Sequence, residues 1–275
     1  MDRSAIFKEL FGPLYDPIPD SGKYLERIGV DPIRKVDKES LDLLVLSHQR
    51  SVPFENLDIY DAGLDISLAI PELYDKIVLR RRGGYCFELN AAFSSLLAGL
   101  GYTCYSVAVR VVANASILMP LSHRASIVTI GGVRFFCDVG FGGPSPQGAL
   151  LLDDTEPQVS GSNTFVVKKD KQGIVICRII DGNDEPLLSF SDTPCDPVDF
   201  LALNEYQSKS KNSMFRIMRI CNLVTDTGSI TLSGNVLKIH SGNDTVEKTL
   251  ETEGELRSAL NDHYGVQVDF PLSIC

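Results

Sequence analysis

The stretch that constrains the fold of this chain most strongly is residues 82–90, which read RGGYCFELN. Gly83 and Gly84 predict a turn, and the apolar, Ala- and Leu-rich run after them predicts a helix from Cys86 to Leu100. A thiol at a helix N-terminus lies at the positive end of the macrodipole, which stabilises the thiolate and makes it nucleophilic. The two glycines allow the backbone to approach a substrate closely. Residues 82–90 therefore predict an enzyme with a cysteine nucleophile.

Size and charge limit the classes of protein to which the chain can belong. Its 275 residues, 44% of them hydrophobic, and its mean hydropathy of +0.04 predict a globular protein with a well-buried core. The net charge of −10 and the pI near 4.9 argue against a nucleic-acid partner and an anionic membrane partner. No apolar run is long enough to span a bilayer, and residues 1–9 lack the pattern of a signal peptide. We expect a cytoplasmic protein.

The cysteines show neither a metal-binding pattern nor a disulfide framework. They stand at positions 86, 104, 137, 177, 195, 221 and 275, without CxxC pairs or zinc-ligand spacing. An odd number of cysteines without a secretion signal favours reduced thiols. Those at 104, 137, 177 and 221 lie in apolar segments and are interpreted as small buried residues. Residues 181–185, DGNDE, have their glycine misplaced for a calcium loop and predict a turn. No metal site is predicted.

The hydrophobic pattern changes from helical to strand-like near residue 102. Helices are predicted at 39–48, 71–78 and 86–100, with a loop at 53–57. Strands are predicted at 104–112, 125–130, 133–139, 164–169 and 173–180, with Gly131-Gly132 as a two-residue hairpin turn. This succession indicates an antiparallel sheet or barrel.

The last third of the chain mixes both types of pattern. A helix is predicted to begin at Asp196-Pro197, and strands are predicted at 229–232, 236–240 and 245–250. Thr252 and Glu255 have capping-box spacing before a final helix. The segments 142–157 and 207–213 are rich in turn-forming residues and are predicted to be functional loops.

Cysteine catalysis also needs a base that accepts the thiol proton and a group that orients this base. His123 stands in the segment PLSHR, at the entry to an apolar strand, where its side chain can point into a cleft. The other three histidines suit this role less well. His48 lies in an amphipathic helix, His240 at a strand end and His263 in the terminal helix. His123 is therefore the predicted base.

Asp138 is the predicted orienting group. It follows the apolar run 133–137 and precedes the glycine-rich VGFGG. A carboxylate inside an apolar strand costs several kcal/mol unless it is paired. The hairpin at Gly131-Gly132 makes the strand of Asp138 the antiparallel neighbour of the strand of His123, so the two side chains are expected to meet. The alternative is that Asp138 caps a local amide in a turn.

Four motifs, in this order along the chain, resemble those of the arylamine N-acetyltransferases. Residues 52–57, VPFENL, resemble the proline-phenylalanine loop of that family, and residues 82–90 resemble its nucleophile signature. His123-Arg124 and the segment 138–142, DVGFG, resemble its His and Asp positions. Residues 204–208, NEYQS, with Ser213 and Phe215, resemble its third-region segment. The resemblance extends over almost the whole chain.

The resemblance implies an α+β fold in three parts. A helical bundle at 1–95 would carry the nucleophile, and a central antiparallel β-barrel at 96–195 would carry the His and the Asp. Residues 196–275 would form a C-terminal α/β lid. The active site would lie where the first two parts meet, around a Cys-His-Asp core like that of cysteine proteases.

The resemblance also implies ping-pong transfer of an acetyl group from acetyl-CoA to an arylamine, arylhydrazine or hydrazide. Neither a metal nor a nucleic-acid or membrane partner is implied. The catalytic residues would be Cys86, His123 and Asp138. Phe54, Phe141 and Gly142 would bind the acceptor, Ser122 and Tyr206 would lie at the coenzyme site, and Arg82 would form a structural ion pair with Glu55.

Two departures from the family pattern leave the donor and the acceptor range open. Lys211 stands where many relatives have proline, and residues 143–146, GPSP, form a rigid version of the loop after the Asp. One alternative is a biosynthetic amide synthase of the same fold that uses a larger acyl donor. A cysteine hydrolase of the papain or transglutaminase type would use the same three catalytic groups, and a non-catalytic binding protein could share the scaffold.

Overall fold

The structure is a computed structural model that describes residues 3–170 and 173–274. Its N-terminal part is helical, as the sequence predicts. Asp20 and Asp37 cap two of these helices, because their carboxylates accept hydrogen bonds from the main-chain N–H groups of Lys23 and Ser40. The helices are α1 (Arg3–Phe11), α2 (Ser21–Arg27), α3 (Lys38–Ser51), α4 (Leu57–Tyr60), α5 (Ile70–Tyr74), which a π-turn extends over Asp75–Leu79, and α6 (Cys86–Gly99).

A short strand, β1 (Phe54–Glu55), stands where the sequence predicts a loop at 53–57, and α4 follows it directly. Strand β1 pairs antiparallel with β10 (Ile220–Val224), so that Phe54 lies opposite Asn222. Two residues give no periodic signal of their own. Their extended conformation depends on a partner strand that lies far away in the sequence, and the loop prediction was wrong for this reason.

The central sheet has eight antiparallel strands in the order β5-β4-β3-β2-β9-β8-β7-β6 and forms a nearly closed barrel. The predicted hairpin is present, because Ile130 pairs with Val133 and both glycines between them have positive φ, 57° and 85°. The strands are β2 (Thr103–Val111), β3 (Leu121–Ile130), β4 (Val133–Cys137), β5 (Leu150–Leu151), β6 (Gln158–Ser160), β7 (Asn163–Asp170), β8 (Gly173–Ile180) and β9 (Asn183–Phe190).

Strands β5, β6 and β9 of the barrel were not predicted from the sequence. The first two have only two and three residues, too few for an alternating pattern. Strand β9 begins with the polar residues of the segment 183–186, which are exposed and carry the sequence signature of a turn.

A side chain joins the two edge strands of the barrel. Gln158 on β6 accepts a hydrogen bond from the N–H of Leu151 on β5 at 2.7 Å and donates one to the carbonyl of Leu151 at 2.9 Å. The amide of Gln158 thus replaces the main-chain ladder where the eight strands fail to close.

The C-terminal part is an antiparallel meander with helices beside it. Strands β10, β11 (Gly228–Ser233), β12 (Val236–Ser241) and β13 (Asp244–Thr249) follow one another, and β1 adds to the free edge of β10. The predicted cap of the last helix is confirmed, because the hydroxyl of Thr252 accepts from the N–H of Glu255. The helices are α7 (Phe200–Lys209), α8 (Met214–Ile217) and α9 (Glu253–Tyr264).

The apolar side chains form three cores that hold the site between them. One core joins the N-terminal helices to the outer face of β3 and β4, the second fills the barrel, and the third lies under α9. Of the described helices, none combines the length and the apolar character needed to cross a membrane. The division into 1–95, 96–195 and 196–275 stays a prediction, and β1 adds a main-chain link between the first and the third of these segments.

We predict that Gln158→Ala lowers the free energy of unfolding by about 1–2 kcal/mol, because two hydrogen bonds across the barrel seam are lost. Urea unfolding followed by far-UV circular dichroism measures the change. Gln267→Ala is the matched control, since Gln267 is exposed and bonds only to the side chain of Asn261. Equal changes in the free energy of unfolding for the two substitutions would contradict the role of Gln158 in joining β5 to β6.

Candidate active site

Cys86 is the first residue of α6, as the sequence predicts. The helix begins there because the carboxylate of Glu88 accepts a hydrogen bond from the N–H of Tyr85 at 3.0 Å. Tyr85 is fully buried, and its hydroxyl donates to the side-chain carbonyl of Asn204 on α7. The thiol of Cys86 is 2% exposed and lies 3.7 Å from the carbonyl oxygen of Ser122. The nucleophile is thus fixed from α6, α7 and β3.

The two glycines before Cys86 approach protein atoms and not the cavity, which corrects the sequence interpretation. A Cβ on Gly83 would lie 2.0 Å from the carbonyl oxygen of Pro53, and one on Gly84 would lie 2.8 Å from the carboxylate of Glu88. Neither glycine has positive φ. Glycine is required here because the turn packs against β1 and against the first turn of α6.

A buried ion-pair network, named the basal network, underlies this turn. Its members are Glu55, Asp58, Lys76, Arg82 and Glu88. Arg82 donates two hydrogen bonds to Glu55, at 2.8 and 3.0 Å, and one to Asp58 at 2.7 Å. Lys76 lies 2.8 Å from Asp58 and 2.7 Å from Glu88. The predicted pair of Arg82 and Glu55 is therefore present, and the network fixes the position of the turn.

The hairpin of β3 and β4 places His123 beside Asp138, with Nε2 of the imidazole 2.6 Å from Oδ2 of the carboxylate. His123 is the third residue of β3 and not a residue before the strand, since β3 begins at Leu121. The imidazole also interacts electrostatically with the side chain of Cys86. Because Nε2 is engaged by Asp138, Nδ1 is the ring nitrogen that remains available for an exchange of a proton with the thiol.

The environment of His123 favours its charged form. Burial alone lowers the pKa of His123, but the Asp138 carboxylate, with a smaller effect from Cys86, raises it from 6.5 to about 10. His123 is therefore an imidazolium at neutral pH when Cys86 is a thiolate. Since the folded-state pKa lies above the ordinary value, the stabilisation is full below about pH 6.5 and is lost as the pH rises through 10.

Asp138 is completely buried, and both of its carboxylate oxygens accept hydrogen bonds. Oδ1 accepts from the side-chain amide of Asn90 and from the N–H of Gly140, both at 2.9 Å. Asn90 also donates to the carbonyl of Arg124 at 2.6 Å and accepts from the N–H of Val139 at 3.1 Å. These contacts fix the orientation of the carboxylate toward the imidazole.

Two amide side chains of the site, Asn90 and Gln49, were not predicted from the sequence. The amide nitrogen of Gln49 donates to the carbonyl of Asp138 at 2.9 Å, to the hydroxyl of Ser145 at 3.1 Å and to the carbonyl of Pro146 at 2.9 Å. Asn90 had a detectable signal, because it stands four residues after Cys86 and thus on the same face of α6. The sequence contained no such signal for Gln49, since this residue lies in a different helix.

A cavity of about 390 Å³ opens over Cys86 and His123. All five residues that the resemblance assigns to ligand contacts lie on its wall: Phe54, Ser122, Phe141, Gly142 and Tyr206. The wall is mostly apolar, and it contains no lysine or arginine among the described residues. The wall also includes Phe215 of the third-region segment and four residues that were not predicted from the sequence, Val111, Met119, Met214 and Ile220.

Close packing defines the inner part of this cavity. Gly142 has φ +69°, and a Cβ there would lie 2.8 Å from the ring of Phe54. The ring of Phe141 meets the imidazole of His123 edge-on, with 5.7 Å between centroids. Two aromatic rings therefore flank the space next to the thiol. The predicted loop 207–213 forms part of the same wall, although its first three residues belong to α7.

The remaining histidines lie away from this cavity. His48 is fully buried, bonds to the hydroxyl of Tyr24 at 2.9 Å, and has its pKa lowered to about 3 by burial. His240 bonds to Thr245 on the neighbouring strand. Within residues 3–170 and 173–274, no group of three or more His, Cys, Asp and Glu side chains could hold a metal ion.

The chain is similar to proteins of known family over most of its length. The family model described as N-acetyltransferase matches residues 37–273. The arylamine N-acetyltransferase of Mycolicibacterium smegmatis is 29% identical over 255 residues, which cover 90% of this chain and 92% of the relative. The solved arylamine N-acetyltransferase of M. tuberculosis superposes with a TM-score of 0.84 at 31% identity, over 90% of this chain and 92% of that chain. The solved structure of the Mycobacterium marinum arylamine N-acetyltransferase in complex with CoA superposes with a TM-score of 0.84 at 30% identity, over 90% of this chain and 92% of that chain.

We predict that limiting iodoacetamide at pH 7 alkylates Cys86 before Cys104, Cys137, Cys177 and Cys221. Burial raises the pKa of each of these four thiols, so they stay protonated. His123→Gln removes the cation and is expected to slow alkylation of Cys86 at least about tenfold. Peptide mass mapping measures both effects. Equal labelling of Cys86 and Cys104 in the folded protein would contradict an activated thiolate.

Proposed function

Because the chain belongs to the arylamine N-acetyltransferase family, we propose that it transfers an acetyl group from acetyl-CoA to an arylamine, arylhydrazine or hydrazide through a thioester on Cys86. The observation that carries the assignment of residues is the buried chain of contacts from the thiol of Cys86 through His123 to Asp138. The cytoplasmic location expected from the sequence is part of this proposal.

In the first half-reaction the Cys86 thiolate attacks the carbonyl carbon of the acetyl thioester. Main-chain N–H groups at the start of α6 stabilise the oxyanion of the tetrahedral intermediate. The intermediate collapses, the carbon–sulfur bond to CoA breaks, and the departing CoA thiolate takes the proton of the His123 imidazolium. The products of this step are S-acetyl Cys86, neutral His123 and CoA as a thiol.

In the second half-reaction the acceptor amine attacks the Cys86 thioester. Neutral His123 accepts the proton that the nitrogen loses, so the imidazolium is restored. The Cys86 thiolate leaves, and the amide product departs. The Cys86 thiolate and the His123 imidazolium are therefore both present again at the end of the cycle. Asp138 holds the imidazole in the orientation that both steps need.

The cavity suits a flat, uncharged acceptor. Phe54 and Phe141 provide ring faces and edges beside the thiol, and Gly142 leaves room between them. For the acyl donor, we propose Ser122 and Tyr206 as contacts, since both lie on the cavity wall. Tyr206 is 49% exposed and thus stands at the cavity entrance. The solved M. marinum relative in complex with CoA supports an acyl-CoA donor.

We predict that acetyl-CoA without any amine leaves one acetyl group on Cys86, and that a later addition of an arylamine removes it as the N-acetyl product. Peptide mass mapping locates the acetyl group. Cys86→Ala is expected to abolish both events with little change in thermal stability, whereas Cys221→Ala changes neither event.

The outcome of this experiment separates the candidate activities. An acetyl group on another cysteine, or on none, would overturn the assignment of Cys86. Release of free acetate at the same rate with and without amine would favour a hydrolase. Acylation by longer thioesters but not by acetyl-CoA would favour an amide synthase.

We further predict that neutral arylamines are acetylated with a kcat/KM at least about tenfold higher than arylamines of the same size that carry a carboxylate. The cavity wall offers no lysine or arginine, and a carboxylate that leaves water without a cation loses solvation. Steady-state kinetics with 4-ethylaniline and 4-aminobenzoate measure the ratio. Met214→Arg, which adds a cation to the wall, should lower the ratio of the two kcat/KM values. A higher kcat/KM of the native protein with 4-aminobenzoate than with 4-ethylaniline would contradict an acceptor pocket without a cation.

A further inference from the structure

A second cleft lies between α6, β2 and the face of β3 that carries Arg124, and it is named the Arg124 cleft. Its volume is about 520 Å³. Successive side chains of a strand point to opposite faces, so Arg124 lies on the face of β3 opposite His123. Among the described residues, none lines both this cleft and the cavity over Cys86. The Arg124 cleft is therefore separate from the proposed active site.

The cleft exists because one face of α6 carries only small side chains. Residues that are three and four positions apart lie on the same face of a helix. On this face of α6 all five residues line the cleft: Ala91, Ser94, Ser95, Ala98 and Gly99. Since close-packed interiors leave few voids, a leucine or phenylalanine at these positions would fill the space. The small side chains keep it open in front of Arg124.

Arg124 has more N–H donors than the protein supplies acceptors. It is 4% exposed, and its Nε and Nη2 donate to one oxygen, the hydroxyl of Ser106, at 3.1 and 2.8 Å. A guanidinium has five N–H groups, so one on Nη2 and both on Nη1 remain. Among the described residues, none accepts from these groups, and no carboxylate forms an ion pair with Arg124. Nη1 is not one of the fully enclosed polar atoms without a partner, so it contacts the cleft.

Other buried arginines of the chain are satisfied more completely. Arg82 donates to the carboxylates of Glu55 and Asp58. Arg27, which also lacks a carboxylate partner, donates to three main-chain carbonyls. Burial lowers the pKa of Arg124 to about 10, so its guanidinium is still charged at neutral pH. A single hydroxyl does not compensate a buried cation, because it carries no charge. An anion in the cleft would supply the missing charge.

We propose that the Arg124 cleft binds a small organic monocarboxylate, whose two oxygens accept hydrogen bonds from Nη1 and Nη2 of Arg124. This end of a guanidinium matches the geometry of a carboxylate. The ring of Phe200 supports one face of the guanidinium, 4.4 Å from its centroid, and leaves this end free. The hydrocarbon part of the ligand lies against apolar residues that line the cleft, among them Leu14, Ile70 and Ala91.

The charges at the rim of the cleft favour a ligand with a single negative charge. Asp16 and Asp196 line the cleft and are exposed, whereas Arg124 and Ser106 are buried. The two rim carboxylates repel every anion, and they repel a dianion more strongly than a monoanion. We therefore expect dicarboxylates and inorganic phosphate to bind more weakly than a monocarboxylate with a short hydrocarbon chain.

A titration with butyrate tests the proposal, followed by NMR of protein whose alanine methyl groups are labelled with carbon-13. We expect saturable shifts of the methyl signals of Ala91 and Ala98, which line the Arg124 cleft. The methyl signal of Ala113, which lines the cavity over Cys86, should not move. Butyramide has the same shape without the charge, and its Kd should be at least about tenfold higher. Succinate and inorganic phosphate should also have higher Kd values than butyrate.

A matched pair of substitutions at Ser106 removes the free charge without removing Arg124. Ser106 lines the cleft, so a slightly larger side chain has room. Ser106→Asp places a carboxylate against the guanidinium, whereas Ser106→Asn has the same shape without the charge. Ser106→Asp should raise the Kd for butyrate at least about tenfold, because the ligand then meets a neutralised cation. Ser106→Asn should keep the native Kd.

Replacement of the cation itself gives a further measurement. Arg124→Met should abolish the saturable shifts of Ala91 and Ala98, and if this variant does not fold, the Ser106 pair decides. Equal Kd values for Ser106→Asp and Ser106→Asn, or a Kd for butyrate no lower than that for butyramide, would overturn the proposal. Tighter binding of succinate or phosphate than of butyrate would overturn the choice of a monocarboxylate.

The site does not depend on the function proposed above, and one variant keeps the two separate. Cys86→Ala should bind butyrate with the native Kd, because Cys86 does not line the Arg124 cleft. Loss of butyrate binding in Cys86→Ala, or shifts at Ala113 alone, would place the ligand in the other cavity and overturn the proposal. A failure of acetyl-CoA to acetylate Cys86 would contradict the proposed function and leave butyrate binding unchanged.

Discussion

The site depends on one buried hydrogen bond, from Nε2 of His123 to Oδ2 of Asp138 at 2.6 Å. A carboxylate without solvent is stable only when donors and cations surround it. The chain supplies the donors from α6, through Asn90, and from the segment after β4, through Gly140. The carboxylate therefore fixes three elements relative to one another, and the thiol of Cys86 takes its position from the same helix that satisfies Asp138.

The parts of this arrangement that follow from short sequence segments were predictable. The Gly131-Gly132 turn sets the register of β3 on β4, in which Cys137 pairs with Ser126, and this register brings residue 138 to the end of β3 that carries His123. The start of α6 at Cys86 follows from a glycine turn and an apolar helical pattern with an acid in the first turn. In both cases the determining contacts join residues that are close in the chain, so the sequence contains the whole signal.

The parts that depend on distant segments were not predictable. Strand β1 exists because β10, far away in the sequence, pairs with it. Glu55 pairs with Cys221, and Phe54 pairs with Asn222. The amide of Gln49 reaches the carbonyl of Asp138 across 89 residues. Gly83 looked like a residue that admits a substrate, yet its lack of a side chain admits the carbonyl of Pro53. Residue type alone does not tell which neighbour requires a glycine.

Two sets of buried charges meet at the start of α6, and they serve different ends. In the basal network each cation touches a carboxylate, as Arg82 touches Glu55, so these charges attract one another at short range and hold the turn before α6. In the proposed catalytic set of Cys86, His123 and Asp138, the imidazole gains and loses a proton during the cycle and must remain in contact with both of its partners. His123 and Asp138 meet this condition, because the carboxylate that contacts the imidazole has only uncharged donors, Asn90 and the N–H of Gly140, as its other partners.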